Sequence, residues 1–331
     1  MCVSRSPIAC NAEGLFALPA PVPSAEASQP LPVVSTVRPI LPAVAGQMLP
    51  LLPLVLFLAA FFFYPAVKLL GYSLLTQDMQ GNVGAPVTIG HYLHFFRAAL
   101  YSRVLWTTLR VALITSALAI LLGFPVALVM ARKGALIGRI ITLVVIAPLI
   151  VSVVVRSYGW QLILGNGPTG VLNWVLLGLG IIDHPLALLY SETAVVCGSL
   201  HVFFAMMVLP LASAIGKIDP NLESAAATLG APWWRVWWRI TLPLSLPGLI
   251  AGVTLVFSLT AGSFVIPALL GGTSSQMLGN LIQQQILTVY DWPFGATIAT
   301  VLMVIVLSVN IGSMKVLGLL LRRGVTAGEG A

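Results

Sequence analysis

Charge is what this chain has least of. Asp, Glu, Lys and Arg make up 8% of its 331 residues, against about 25% in soluble domains. With 59% hydrophobic residues and a mean hydropathy of +1.02, that scarcity excludes a globular enzyme on a single anchor. It indicates a polytopic membrane protein. Cysteine is nearly lacking as well. Cys2 and Cys10 sit in the N-terminal tail and Cys197 in an apolar run, which excludes a metal-ligand spacing and a disulfide framework. No GxxxxGK[ST] phosphate loop occurs, so the chain is not itself an ATPase, and no HExxH occurs for an intramembrane metalloprotease. The net charge of +7 does not indicate nucleic acid, because the basic residues lie mostly at the ends of apolar runs, where they orient spans.

A span needs roughly 20 mostly apolar residues to cross about 30 Å of hydrocarbon. Six runs qualify, over about 48–72, 104–130, 138–156, 192–214, 245–270 and 295–321. Backbone polar groups in lipid must be satisfied internally, so each run is expected to be a helix. A seventh run, 171–182, is too short to cross, and Asn173 and Trp174 suit an interfacial or re-entrant helix. Six spans place Arg132, Lys133, Arg139, Lys217, Arg235, Arg239, Lys315, Arg322 and Arg323 on one side. Lys68, Arg97, Arg103 and Arg156 face the other, so the positive-inside rule puts both termini in the cytoplasm. The expected layout is a cytoplasmic tail over 1–47, a six-span domain over 48–321 and a C-terminal tail over 322–331. The first tail is rich in Pro, Ala and Ser and lacks the apolar core of a signal peptide. It is expected to be disordered, or Met48 is the true start.

Between the fourth and fifth runs lies a segment unlike the rest, DPNLESAAATLGAPWWRVWWRITLPLSLPG over Asp219 to Gly248. Asp219-Pro220 pairs an N-cap acceptor with proline at the first helical position. Glu223 complements the dipole of the first turn. Leu222, Ala225, Ala226 and Leu229 share one face, and Gly230 is a natural stop. Pro232 then opens a second helix with Trp233, Val236, Trp237 and Ile240 on one face, and its tryptophans suit the membrane interface. Periodicity alone leaves two readings, an interfacial hairpin that only links two spans or a surface that receives a partner.

The hairpin resembles the EAA signature of ABC importer permeases, in the order Glu-Ala-Ala, three residues, Gly, nine residues, Ile-x-Leu-Pro. Ala225, Ala226, Gly230, Ile240, Leu242 and Pro243 fall in register, while Ser224 takes the usual Glu position and Glu223 sits one residue earlier. The stretches RSYGWQLILGNG at 156–167, MVLPL at 207–211, LPLSLPGLIAG at 242–252, FVIPALLGG at 264–272, MLGNLIQQQ at 277–285 and DWPFGATIA at 291–299 are similar to the spermidine/putrescine (PotB-like) branch. The resemblance spans about 48–321 in order. It implies an all-α membrane protein of the six-span ABC importer permease (MetI-like) fold in a bacterial inner membrane. It also implies a coupling loop at about 215–244 that engages ABC ATPase subunits, a second and different permease subunit, and an extracytoplasmic substrate-binding protein. ATP and Mg would be held by the ATPase and no cofactor by this chain. A polyamine such as spermidine or putrescine is the leading solute. The same branch also imports iron(III), phosphonates and opines. A secondary transporter is a weaker reading, because it needs intramembrane ionisable residues that the runs hardly contain.

The few polar residues in the runs are the remaining candidates. Arg110 lies inside the second run and either lines the path or serves as a structural pair or snorkelling group. Arg156, Tyr158 and Trp160 form either an interfacial belt or an outer gate. His201 is expected to hydrogen-bond a neighbouring helix. Asn166, Gln161, Asn173, Asn280 and Gln283 to Gln285 are candidates for contact with the delivery protein. His91 and His94 have no third ligand nearby, so no metal site is expected.

Overall fold

The computed structural model describes residues 51–78 and 80–328. The expected N-terminal tail and Met48 lie outside them. Helix α1 spans Leu52–Tyr72 and buries none of its residues, as expected where lipid rather than protein is the solvent. The chain divides after Phe57, and Leu58 onward forms one compact unit.

After α1 a two-stranded hairpin pairs β1 (Thr76–Gln77) antiparallel with β2 (Val83–Gly84). The Asp78 carboxylate accepts from the backbone N–H groups of Gln80 and Asn82 at 2.9 and 2.8 Å. The Asn82 bond holds the Asp78 carboxyl below its usual range. That contribution is present above the ordinary carboxylate value and is lost only as pH falls through the lowered one. Gln77 ties the hairpin to the last helix, donating to Tyr290 O at 2.8 Å and accepting from Trp292 N at 3.1 Å.

Helix α2 (Gly90–Arg97) leads into α3 (Ala99–Arg132). At 34 residues α3 is about 51 Å long, longer than the hydrocarbon core. The third run is not one straight helix. It comprises α4 (Ala135–Ile150) and α5 (Val153–Ile163), bent by 99° at the break. Pro148 sits just before the break, where it weakens the last turn. Helix α6 (Val171–Gly178) has only eight residues, too few to cross.

Helix α7 (Glu192–Gly216) starts on a Ser191 cap that accepts from Ala194 N. Two short helices follow, α8 (Pro220–Thr228) and α9 (Trp233–Val236). The latter continues through a π-helical turn, Trp237–Thr241, into α10 (Leu242–Ala261). The fifth span thus starts near Trp233 and ends at Ala261, earlier at both ends than the expected 245–270. Val265–Leu270 forms a separate short helix, α11. Helix α12 (Leu278–Gln284) and the long α13 (Trp292–Gly328) complete the chain, and α13 continues into the segment expected as a C-terminal tail. Among the described residues, five helices are long and apolar enough to cross a bilayer, or six when the bent pair counts as one span.

The core is built where α3, α7 and α10 pack on one another. Ala119, Phe124, Met207, Leu211, Ile215 and Val256 are buried together there. Gly248 and Gly252, four apart on α10, permit the close approach. A Cβ at Gly252 would stand 2.6 Å from Met207 Sδ, and one at Gly248 would run into Ala214 and stand 2.6 Å from Pro210 O. Small residues at this spacing let helix backbones meet in lipid. Several hydroxyls in the spans bond internally, though Thr115, Ser199 and Thr260 are buried without a partner among the described residues. Thr108 donates to Val104 O at 2.8 Å and accepts from Leu278 N at 2.9 Å, which joins α3 to the start of α12.

Two asparagines expected at the delivery protein bond within the chain. Asn166 exchanges a pair of bonds with Leu189, at 3.1 and 2.9 Å. Asn173, 1% exposed, donates to Gly165 O and Leu186 O and accepts from Leu186 N. These bonds fasten the long α5–α7 connection to itself, where no sheet or helix can take its backbone groups. Replacing Asn173 by leucine leaves three backbone groups without partners. The purified protein is expected to lose about 2–4 kcal/mol of stability, read as a fall in thermal unfolding temperature. An unchanged melting profile would mean that these bonds do not hold the connection.

Candidate functional site

Local chemistry shapes the hairpin of α8 and α9. Asp219 caps α8 by accepting from Asn221 N at 2.9 Å, and Pro220 occupies the first turn. The helix stops at a left-handed residue, Gly230 (φ +79), where Gly230 N donates to Ala227 O and Ala231 N to Ala226 O. Pro232 then starts α9. Pro243 lies in the first turn of α10. Its missing N–H leaves the turn before it short of a donor, and Leu242 N reaches back five residues to Trp237 O, the bond that defines a π turn.

The hairpin stands out from the bundle. No residue of α8 or α9 is buried, and Leu229 and Trp233 at the tip are 88% and 81% exposed. An apolar groove of about 610 Å³ separates it from α3, lined by Phe124, Pro125 and Leu128 on one side and by Trp233, Trp234 and Trp237 on the other. A second groove, of about 570 Å³, runs on the α7 and α10 side beneath Leu222. Trp237 meets Phe124 edge-on at 5.0 Å and Trp238 at 4.8 Å.

One polar knot crosses this gap. Arg132, the last residue of α3, donates through Nη2 to Glu223 Oε1 at 2.8 Å and through Nη1 to Ile218 O at 3.1 Å. The same Glu223 oxygen accepts from Thr241 Oγ1 at 3.0 Å. Thr241 is buried, and both charged side chains are mostly covered, at 19% and 25% exposure. One oxygen of the Glu223 carboxylate, the group expected to meet an ATPase, is thus engaged within the subunit in this arrangement. Ser224 Oγ donates to Pro220 O at 3.1 Å on its own helix. Ala225 and Pro243 are exposed, Ala226 and Ile240 are half-buried, and Leu242 packs on the core.

Arg110 does not stand alone in the membrane. Its Nε lies 3.4 Å from Glu192 Oε2 at the start of α7, the structural pair among the two readings. Arg156 and Trp160 converge on α7. Trp160 Nε1 donates to His201 Nδ1 at 3.1 Å, and Arg156 Nη1 reaches Val202 O at 3.4 Å. Arg156 Nε is buried without a partner among the described residues. His201 bonds a neighbouring segment, as its place in an apolar helix predicts. Beside these residues, a cavity of about 380 Å³ is lined by Val144, Pro148, Trp160, Cys197, His201 and Phe204. Tyr158 is half-exposed and takes no part in the Trp160–His201 bond. His91 is held by Leu75 O at 3.2 Å, and His94 stacks edge-on with Tyr101 and Phe294.

A helical bundle of five or six candidate spans that projects a capped, exposed hairpin on one face defines a multi-pass permease subunit. The fold matches a subunit of a bacterial ABC transporter involved in the import of the acidic polysaccharide alginate, with a TM-score of 0.59 over 83% of this chain and 97% of that one at 20% identity. It also matches the MetNI methionine ABC transporter, with a TM-score of 0.50 over 66% and 95% at 19% identity. In sequence, the family described as "Binding-protein-dependent transport system inner membrane component" matches residues 119–317. The chain is 33% identical to the spermidine/putrescine transport system permease protein PotB of Haemophilus influenzae, over 78% of this chain and 90% of that protein. It is 34% identical to PotB of Escherichia coli K12, over 75% and 89%. The chain belongs to the binding-protein-dependent transport inner membrane component family. It is a permease subunit of an importer and a multi-pass inner-membrane protein.

Sequence reasoning missed Arg132 and Thr241. Arg132 reads only as one of several basic residues at a span end, and nothing local marks a partner 91 residues away.

Proposed function

We propose that this chain is the polyamine-path permease of an ATP-driven importer. It has six spans, counting α4–α5 as one, and both termini in the cytoplasm. The hairpin at about 215–244 receives ABC ATPase subunits, which hold and hydrolyse ATP with Mg. A different permease chain completes the path, and an extracytoplasmic binding protein delivers spermidine or putrescine. The observation that carries this reading is the identity of 33–34% to permeases named for spermidine/putrescine, sustained over three quarters of the chain. The exposed face of α8, with Leu222, Ser224, Ala225 and Leu229, supports the ATPase docking.

A specific observation favours a second solute class for the same machinery. Among the described residues, the acids sit in loops or within the first turn of helices, while Arg156 carries an unpartnered N–H in the membrane. A guanidinium suits an anionic group. A relative of 28% identity is named a putative 2-aminoethylphosphonate transport system permease protein. Uptake of radiolabelled spermidine and of 2-aminoethylphosphonate, with and without this chain, separates the two. Spermidine uptake that depends on the chain supports the first reading, and dependence of phosphonate uptake alone replaces it.

A further inference from the structure

We propose that Arg132 is the positioning residue that carries movement of the coupling helix into the membrane bundle. The inference rests on the reading that α8 receives an ATPase. If α8 is pushed or pulled from outside, something must transmit the load. Apolar packing is poorly placed to do so, since α8 buries none of its residues and grooves of about 610 and 570 Å³ flank the hairpin. Helix α8 is joined in sequence to α7 through Lys217–Asp219 and to α9 through the Gly230 turn.

The Arg132 knot is different in kind. The guanidinium holds the end of α3, the carbonyl of Ile218 at the hinge and the carboxylate on α8 at once. Glu223 passes the link on to Thr241, in the π turn at the root of α10. One carboxylate oxygen thus joins α8 to two of the three helices of the core, and Arg132 closes the α7 side. Arginine suits this place because its planar fork bonds in fixed directions and because a cation at the last turn of α3 opposes the negative end of the helix dipole. Charge-assisted bonds of this kind are short and directional, so a displacement of α8 is shared by α3 and α10 rather than absorbed in the grooves.

The test uses the assembled importer in membranes with its ATPase and binding protein. Arg132→Glu and Glu223→Arg, singly and together, are compared with Arg132→Lys and Thr241→Val. Three quantities are read: ATPase co-purified with the permease, hydrolysis with and without loaded binding protein, and solute uptake. Each single reversal is expected to keep co-purification near wild type. It should lower uptake about tenfold or more, because removing one partner of a covered pair strands the other charge. Basal hydrolysis should persist while its stimulation by the binding protein is lost. The double reversal is expected to restore both uptake and stimulation, and Thr241→Val, which keeps the shape and removes one bond, to show a smaller loss of the same kind. A structural role alone does not split basal from stimulated hydrolysis. Normal uptake in the single variants, or a double reversal that stays inactive while inserted and assembled, overturns the proposal. If the reversals fail to insert, Arg132→Lys and Thr241→Val decide: unaltered stimulation in both overturns it. If the wild-type chain brings down no ATPase, the docking reading fails first and the proposal falls with it.

Discussion

Replacing Gly230 by aspartate is expected to abolish uptake while the protein remains inserted in the membrane. Gly230 holds φ +79 at the end of α8, a region that costs an ordinary residue about 1–2 kcal/mol. Aspartate tolerates that region better than most residues, but its charge would sit at the negative end of the helix dipole, adding about 0.3–1 kcal/mol. Neither term unfolds a bundle of this size. Apart from its two chain neighbours, no atom of the described residues lies within 4 Å of where a Cβ would stand, so there is room for the side chain. The damage falls on the direction in which Ala231 and Pro232 leave the turn, and on any partner that closes over it. Cell uptake at matched expression is the measurement, with Gly230→Asn as the control that keeps the backbone and adds no charge. Normal uptake by the aspartate variant would falsify the reading of this hairpin as a coupling surface.

The second large effect is expected inside the membrane. Gly248→Leu should remove the folded protein altogether, seen as loss of a monodisperse peak on size exclusion and loss of thermal protection. The added carbons have nowhere to go. A Cβ alone would already press on Ala214, the carbonyl of Pro210 and the backbone of Leu211, and these belong to rigid helix, not to the flexible end of a side chain. Overpacking a core typically costs about 1–3 kcal/mol, and here it acts along the closest pairing of the bundle, α7 against α10. Gly312, with open space around its Cβ position, is the matched control, and Gly312→Leu is expected to behave as wild type. A Gly248→Leu protein with an unchanged melting temperature would mean that α7 and α10 do not pack as described.

Hydropathy makes most of the bundle legible, because five of the six runs correspond to helices of spanning length. It does not see the break between Ile150 and Val153. The residues next to the break, over 144–155, are almost all apolar, so a 99° change of direction leaves no mark in a hydropathy window, and Pro148 is the local sign. The hairpin is legible for the opposite reason. An N-cap, a first-turn proline and a terminal glycine act within a few residues, and each stands where that chemistry requires. The Glu223 partner was not legible, since the carboxylate is satisfied by residues from two other helices. Asn173 misled because a polar residue near an outer face suggests a binding surface, whereas here it is buried and bonded to backbone groups of the same connection. The Gly248–Gly252 spacing was readable, and it belongs to a general rule of packing in lipid rather than to function.

The length of α3 has a mechanical meaning. A rod of about 51 Å, gripped along its middle by α7 and α10 and held at one tip by Arg132, has the geometry of a lever. A swing of about 10° about that grip displaces each tip by roughly 4 Å for a half-length of this size. Motion at one end of such a rod reaches the other without the helix having to stretch, unwind or slide along its own axis.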